Sequence, residues 1–240
     1  MTYIILAAGL GTRLHPLTLK HPKSLYKLDK DMTVVQRLVK LIRANDQKAE
    51  IVVASGFMAN NLVDELSLEN VIFVRNPFFS ITNSIASLWF ARDYLERENV
   101  VIINGDIVLE DRLVKDIVCV PVEKPYVLID SSCQDAGDYN AQVRDGKVLV
   151  MGKNLSTFYG EYACLTKLDS ISSRLLKKEV CEMIEQEMYG QYFEDALVQM
   201  IFSRGFELGY VDIANYKWTE VDSVDDLIRA KKIHSEDSVF

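Results

Sequence analysis

The chain has 240 residues, 49% of them hydrophobic and 26% charged, a globular balance that excludes disordered and fibrous classes. At about 150 residues per domain it is one large domain or two small ones. Its 27 Lys and Arg stand against 35 Asp and Glu, a net charge of −8 with an isoelectric point near 5.0, which argues against a general nucleic-acid binder but leaves room for a local basic pocket holding one small anion.

Met1-Thr2-Tyr3 has no basic segment, and the apolar stretch 4–8 is too short for a signal peptide. No hydrophobic run reaches the ~20 residues that cross a bilayer. Cys119, Cys133, Cys164 and Cys181 are irregularly spaced and form no C-x-x-C pair, so they read as free thiols. The expectation is a cytoplasmic protein.

In chain order, Tyr3-Ile4-Ile5-Leu6 is the first expected strand, apolar on both faces as in a parallel sheet covered by helices. Val34, Val35, Leu38, Leu41 and Ile42 mark one face of a helix, with Thr33 as its N-cap. Strands follow at Ile51-Val52-Val53 and Val71-Ile72-Phe73-Val74. Ile85, Leu88, Trp89 and Tyr94 mark a helix over 83–96, and Val100-Val101-Ile102-Ile103 a fourth strand. This β-α-β-α order predicts an α/β fold with a doubly wound, mostly parallel Rossmann-like sheet.

After about residue 120 the rhythm changes. A strand is expected over 126–129, a hairpin over 139–150 turning at Asp145-Gly146, and a strand over 162–165. Helices over 170–188 and 193–203 and strands over 207–212 and 217–221 come next. A final helix covers 224–233, capped by Asp222 or Ser223, and the tail 235–240 is polar and frayed. No repeat or Pro/Gly linker interrupts the chain, so residues 1–240 read as one domain, with a smaller mixed β region over 121–240.

The most informative stretch is Leu6-Ala7-Ala8-Gly9-Leu10-Gly11-Thr12-Arg13-Leu14, followed by Pro22-Lys23-Ser24-Leu25. A strand ending in small residues and two glycines lets backbone N–H groups approach a ligand, and such a nest of amides binds phosphate. Arg13 and Lys23 add two positive charges. A P-loop is excluded because Thr12-Arg13 follows Gly11, and a dinucleotide fingerprint because Leu14 stands where its third Gly or Ala belongs.

These two motifs resemble the signature of the sugar-nucleotide pyrophosphorylase-like nucleotidyltransferases, L-A-A-G-x-G-T/S-R followed by P-K. Asn76, Thr82-Asn83 and Ser87-Leu88 resemble the N…T-N-N-x-x-S-L segment of its small cytidylyltransferases, of the phosphocholine and aminoethylphosphonate type. Gly105-Asp106 after a hydrophobic strand, Lys153 before Gly160-Glu161, and Glu220-Val221-Asp222-Ser223 with Asp225-Asp226-Leu227 extend the likeness over residues 3–233. Ser84 replaces the second Asn of T-N-N, and Ala163-Cys164 follows Gly160-Glu161 where relatives often keep another Gly.

The resemblance implies a Mg²⁺-dependent attack of an acceptor phosphate on the α-phosphorus of CTP, releasing pyrophosphate, in capsule or surface-polysaccharide modification. It assigns the nucleotide to the half 1–120 and the acceptor to the half 121–240. It gives Asp106 and Asp222 as metal ligands, Arg13 and Lys23 as the catalytic cations beside the triphosphate, and Lys153 beside the acceptor phosphate. The partners it implies are CTP and a small phosphorylated amine or amide such as phosphocholine or phosphoglutamine, without nucleic acid or membrane, and homodimeric assembly stays open.

Such a transfer needs positioning and charge neutralisation rather than a protein nucleophile, because the acceptor brings its own phosphate oxygen. Base recognition is expected from backbone groups of Leu6, Ala7, Ala8 and Gly9, with Gly11 and Thr12 completing the loop. Ser55, Gly56, Asn83 and Ser87 are further candidates, although Asn83 could equally be a plain N-cap and Ser87 a helix-face hydroxyl. For the acceptor, Glu161, Tyr192 and Glu194, among neighbouring aromatics, would suit an ammonium through charge pairing and cation–π contact. His15, His21 and His234 offer no spacing for a metal site or a triad. The alternatives are an NDP-sugar pyrophosphorylase using UTP or dTTP and a hexose 1-phosphate, and a non-catalytic nucleotide-binding module.

Overall fold

The computed structural model describes residues 1–14, 21–133 and 139–237. β1 (Thr2–Ala7) is buried along its whole length. It pairs in parallel with β2 (Glu50–Ser55) and with β4 (Asn99–Asn104), and β2 pairs in parallel with β3 (Ile72–Arg75). The apolar runs on both faces of β1, β2 and β4 therefore mark strands covered on both sides.

Between them, α1 (Val34–Asn45) starts at Thr33, whose hydroxyl accepts the Gln36 N–H at 3.4 Å. A short helix, α2 (Ala59–Glu65), lies where no helix was expected; the chain enters it through Met58 at φ 48°. α3 (Ser84–Phe90) is shorter than the expected 83–96. The Arg92 guanidinium donates to the Trp89 carbonyl at 2.8 Å, and the chain continues as a 3₁₀ turn, Arg92–Glu96.

After β4 come β5 (Ile107–Leu109) and α4 (Asp111–Leu113), which runs into a π-turn, Val114–Val118. β6 (Tyr126–Asp130) precedes the hairpin of β7 (Asn140–Arg144) and β8 (Lys147–Gly152). Its turn falls at Asp145-Gly146 as expected, with φ of 51° and 76°, the positive pair that a type I′ turn demands. β9 (Gly160–Asp169) is longer than the expected strand, and its register against β6 shifts around Cys164, a buried residue at φ 52°. The buried Lys167 on this strand donates to the carbonyls of Ile117, Val118 and Val120, fastening the end of the π-turn.

α5 (Ser170–Glu185), α6 (Phe193–Arg204), β10 (Gly209–Asp212), β11 (Trp218–Glu220) and α7 (Val224–Glu236) complete the chain. α7 runs past residue 233 into the segment expected to fray, while 238–240 lie outside the described residues, as does His15. The nine-stranded sheet has the order β3-β2-β1-β4-β9-β6-β10-β8-β7. Its first half is parallel. β9 then runs antiparallel to both β4 and β6, giving the mixed second half. α3, α5 and α6 pack on one another beside the sheet, while α1 and α7 gather around β5 and β11.

β5 and β11 form a separate antiparallel ribbon in which Glu220 pairs with Ile107, and the Val221 N–H donates to the Asp106 carbonyl at 3.0 Å. The ribbon is held from below by Arg37 of α1, buried, which donates to Leu109 O at 2.7 Å and pairs with Asp237 just after α7. This arrangement places Asp222, distant in sequence, beside Asp106.

Candidate active site

A cleft of about 210 Å³ opens beyond the carboxyl ends of β1, β3 and β4, where open α/β sheets bind ligands. Leu6, Ala8 and Gly9 line it from β1 and the loop after it, Asn76 follows β3, and Asn104 and Asp106 come from the end of β4. A smaller pocket of about 90 Å³ shares Leu6, Gly9, Lys23 and Asp106 with it and adds Ala7, Gly11 and Ser24. Two glycines keep this region open by close approach. A Cβ on Gly105 would stand 2.8 Å from Ala7 Cβ, and one on Gly56 2.7 Å from Phe79 Cβ and 2.8 Å from Ala8 O.

Lys23 opens a 3₁₀ turn, Lys23–Leu25, that follows Pro22, whose fixed φ suits the entry. Its ammonium lies 3.5 Å from Asp106 Oδ2 and is in direct contact with Asp222 Oδ1. Arg13 Nη2 reaches Asp222 Oδ2 at 2.8 Å. The two cations expected beside the triphosphate are therefore joined to the two expected metal carboxylates in one network. Beside them, Ser24 lines the smaller pocket, and its hydroxyl is buried without a hydrogen-bond partner.

Asp222 was one of two cap candidates for α7. Ser223 is the cap, its Oγ accepting the Asp226 N–H at 3.2 Å, so the Asp222 carboxylate is left facing Lys23 and Arg13. Asn83 takes the expected N-cap role and stands at the cleft. Its side chain caps α3 through the Ser84 N–H at 2.8 Å, and the residue lines the cleft. Ser87 is more than a helix-face hydroxyl: buried in the cleft wall, it accepts from Asn76 Nδ2 at 3.1 Å.

Tyr192 and Glu194, at the start of α6, close the far side. Lys153 is exposed at the edge, 3.0 Å from the Tyr192 hydroxyl and 4.5 Å above its ring. Burial raises the Tyr192 phenol, but hydrogen bonds from Lys153 and Asn83 and the charges of Lys153 and Arg13 outweigh it, and the net shift is downward. Glu194 is buried with Oε2 unpartnered; burial and the neighbouring Glu220 and Asp195 charges push its carboxyl up to about 8. Burial and the Asp106 charge likewise raise Glu220, although Asn104 Nδ2 donates to its Oε1 at 3.0 Å.

Besides Lys153 at the edge, four more expected contacts stand elsewhere or only at the margin. Glu161 is not among the residues lining the cleft. It neighbours Cys133, and burial with the charges of Asp130 and Glu161 pushes that thiol up to about 12. The Ser55 hydroxyl is used within the sheet, donating to Val74 O at 3.3 Å. Thr12 begins an exposed 3₁₀ turn, and Gly56 acts through the room it leaves Ala8 and Phe79. His234 pairs with Asp29 at 2.9 Å, away from the cleft. Asn76, Asn104 and Glu220 were not expected as site residues. Asn76 and Glu220 stood inside recognised motifs, while Asn104, at the end of an apolar strand, carried no signal beyond preceding Gly105-Asp106.

Among the described residues, no group of three or more His, Cys, Asp and Glu side chains forms a metal cage, and no helix is long and apolar enough to cross a membrane. The donor set nevertheless suits a hard cation. Asp106 and Asp222 converge on one positive centre, now the Lys23 ammonium, and Mg²⁺ takes one or two carboxylates and completes its shell with phosphate oxygens and water.

The chain is 32% identical over 109 residues to a 2-aminoethylphosphonate cytidylyltransferase of Lancefieldella rimae, an alignment covering 45% of this chain and 44% of the relative. It is 22% identical over 254 aligned positions to the CTP:phosphoglutamine cytidylyltransferase of Campylobacter jejuni, covering 95% and 98%. The CTP:phosphocholine cytidylyltransferase of Streptococcus pneumoniae superposes with a TM-score of 0.78 at 18% identity, covering 97% and 98%, which establishes the shared fold. Residues 3–135 match the MobA-like NTP transferase domain, and the chain belongs to that family.

Proposed function

We propose that this protein is a cytidylyltransferase that moves CMP from CTP to the phosphate of a small phosphorylated amine or amide, releasing pyrophosphate. The observation that carries the reading is the convergence of Arg13, Lys23, Asp106 and Asp222 at the carboxyl end of the parallel strands. The relatives named for aminoethylphosphonate and phosphoglutamine support CTP as donor and a small nitrogen-bearing acceptor. In this reading the product serves capsule or surface-polysaccharide modification, and the enzyme works in the cytoplasm.

The obstacle to the reaction is repulsion between two anions, about 4 kcal/mol for unit charges 4 Å apart at an effective dielectric of 20. Lys23 and Arg13 lie where their positive charge can be shared between Asp222 and the phosphate oxygens. The loop amides of 8–11 and the Ser24 hydroxyl would complete the phosphate cradle. Asp106 and Asp222 would hold Mg²⁺, which when bound neutralises charge on the triphosphate. Ala8, Asn83 and Ser87 line the wall where the cytosine would lie, and Tyr192 with Lys153 the approach of the acceptor. No general base is required, because the attacking phosphate oxygen is already an anion.

The test is a panel of the four nucleoside triphosphates against phosphorylated amines, amides and hexose 1-phosphates, followed by pyrophosphate release. The reading predicts turnover with CTP and an amine or amide phosphate. Strong turnover of UTP or dTTP with a hexose 1-phosphate, and none with the amines and amides, would overturn it.

A further inference from the structure

The four charges of the site stand on a hydrophobic core of their own. Apart from the main core of the sheet, a second buried cluster gathers Leu14, Leu28, Val108 and Val221 together with Ala230 and Ile233 of α7. Each of the first four follows or precedes a site charge closely in the chain. Leu14 follows Arg13, Val221 precedes Asp222, Val108 is two residues beyond Asp106, and Leu28 is five beyond Lys23. The β5–β11 ribbon divides the two cores by strand alternation. Ile107 and Leu109 belong to the main core, and Val108 between them to the second.

The backbone around the two cations fixes shape more than place. The Leu14 N–H closes on Gly11 O at 3.1 Å and the Tyr26 N–H on Lys23 O at 3.0 Å, each completing a short 3₁₀ turn. Such bonds hold a turn together but do not set its distance from Asp222, which lies far along the chain. The packing of Leu14 and Leu28 in one cluster with Val221 and α7 supplies that reference. Ile233, 3% exposed, is the larger of the two buried side chains that α7 gives to the cluster. Charged anchors flank it. His234 Nε2 lies 2.9 Å from Asp29 Oδ2, in the loop after the Lys23 turn, and Asp237 pairs with Arg37 of α1 and accepts the Asp111 N–H at 3.1 Å. α7 is thus tied to the loop that carries Lys23 and to the segment beyond Asp106, while its own first turn begins beside Asp222.

Resting on the nucleotidyl-transfer reading above, we infer that Ile233 is a positioning residue for the reaction: it keys α7 into the second core, and that core sets the spacing of Arg13, Lys23, Asp106 and Asp222. Ile233 is not among the residues lining the cleft and acts through those four charges. The stakes are high for so small a contact. A misplacement of about 1 Å costs up to about 10²-fold in rate, and loosened support of a metal ligand costs about 10- to 100-fold in affinity or activity.

Two voids of similar kind separate positioning from bulk stability. Ile233→Ala opens one in the second core. Leu176→Ala opens one in the main core from α5, a helix with no residue in the cleft lining. With CTP and the best acceptor, Ile233→Ala should lower kcat by about 10- to 100-fold and raise the half-saturating Mg²⁺ concentration about tenfold, with KM for the acceptor within about threefold. Ile233→Val keeps most of the packing and should stay within about threefold of the parent in both. Leu176→Ala should lower the melting temperature comparably while leaving rate and Mg²⁺ dependence within about threefold. Equal losses of rate in the two alanine variants, or a lowered melting temperature in Ile233→Ala with rate and Mg²⁺ dependence unchanged, overturns the assignment.

Hydrogen exchange in the unliganded protein is independent of turnover. Because coupling is reciprocal, Lys23→Met should speed amide exchange over 230–236 at least about tenfold and leave α5 unchanged. Unchanged exchange over 230–236 overturns the positioning role. If no nucleotide and acceptor release pyrophosphate, the transfer reading itself falls, and the exchange measurement alone decides whether the second core and the four charges are coupled.

Discussion

Lys23→Met removes the positive charge at the centre of the site without removing its side-chain bulk. The ammonium is 3.5 Å from Asp106 Oδ2, touches Asp222, and is only 11% exposed. At an effective dielectric of 20, a unit charge pair at that distance attracts by about 5 kcal/mol, and a phosphate oxygen at the same distance would be held as strongly. Part of this is offset by desolvation and part binds ground and transition states alike. The fraction that acts on charge developing toward pyrophosphate should match a single donor of an anion-stabilising site, about 3–4 kcal/mol, or 10²–10³ in kcat/KM. The assay is coupled pyrophosphate release with CTP and the best acceptor. A thermal melt with and without Mg²⁺ runs beside it, because the variant leaves Asp106 and Asp222 facing each other, a repulsion that the metal should relieve. Lys23→Arg, which keeps the charge, should recover part of the rate. A folded Lys23→Met protein within fivefold of the parent would refute the role assigned to this charge.

Asp222→Asn and Ser223→Ala separate chemistry from capping: the first should abolish turnover, while the second should cost about 1 kcal/mol of stability and spare kcat. The reverse pattern would contradict the placement of the cap. Gly56→Ala puts a methyl 2.8 Å from the Ala8 carbonyl, an overpacking that costs about 1–3 kcal/mol. CTP affinity, read by calorimetry, should fall at least about tenfold, since the cleft wall is what moves. Burial holds the Glu194 carboxyl up to about 8, above its unfolded value, so folding takes up a proton between those limits. Stability should therefore fall as pH rises from about 4.5 toward 8, and Glu194→Gln, which cannot ionise, should gain in melting temperature over the parent across that window. A constant difference in melting temperature from pH 5 to 8 would count against a buried, protonatable Glu194.

The parts of the site that were legible in the sequence are those where backbone geometry forces residue choice. Gly105 must be small because Ala7 crosses it, and Pro22-Lys23 starts a turn whose cation faces the site, so both are marked by residue type. The buried runs of β1, β2 and β4 were equally plain, being apolar on both faces. The strand order beyond β4 was not legible, because β9, β6 and β10 pair across large sequence separations and no local pattern encodes which edge each one joins. α2 escaped notice because Ala59-Asn60-Asn61 offers little helix signal and its entry depends on the left-handed Met58. Glu161 was assigned to the acceptor site by its neighbourhood in sequence, and the fold sets it beside Cys133 instead of in the cleft lining. Asp222 and Ser223 could not be told apart as caps without the β5–β11 ribbon, which fixes where α7 begins. The buried state of Glu194 is invisible in sequence, since it arises from the packing of α6 against α3 and α5.

The most direct test of the account is to incubate the protein with CTP, Mg²⁺ and 2-aminoethyl phosphate and follow both products, pyrophosphate by coupled assay and the CDP-linked amine by mass. The account predicts stoichiometric formation of the two, lost in Asp106→Ala and Asp222→Asn proteins that remain folded. Undiminished formation in those variants, or a product only from UTP or dTTP with a hexose 1-phosphate, would contradict it.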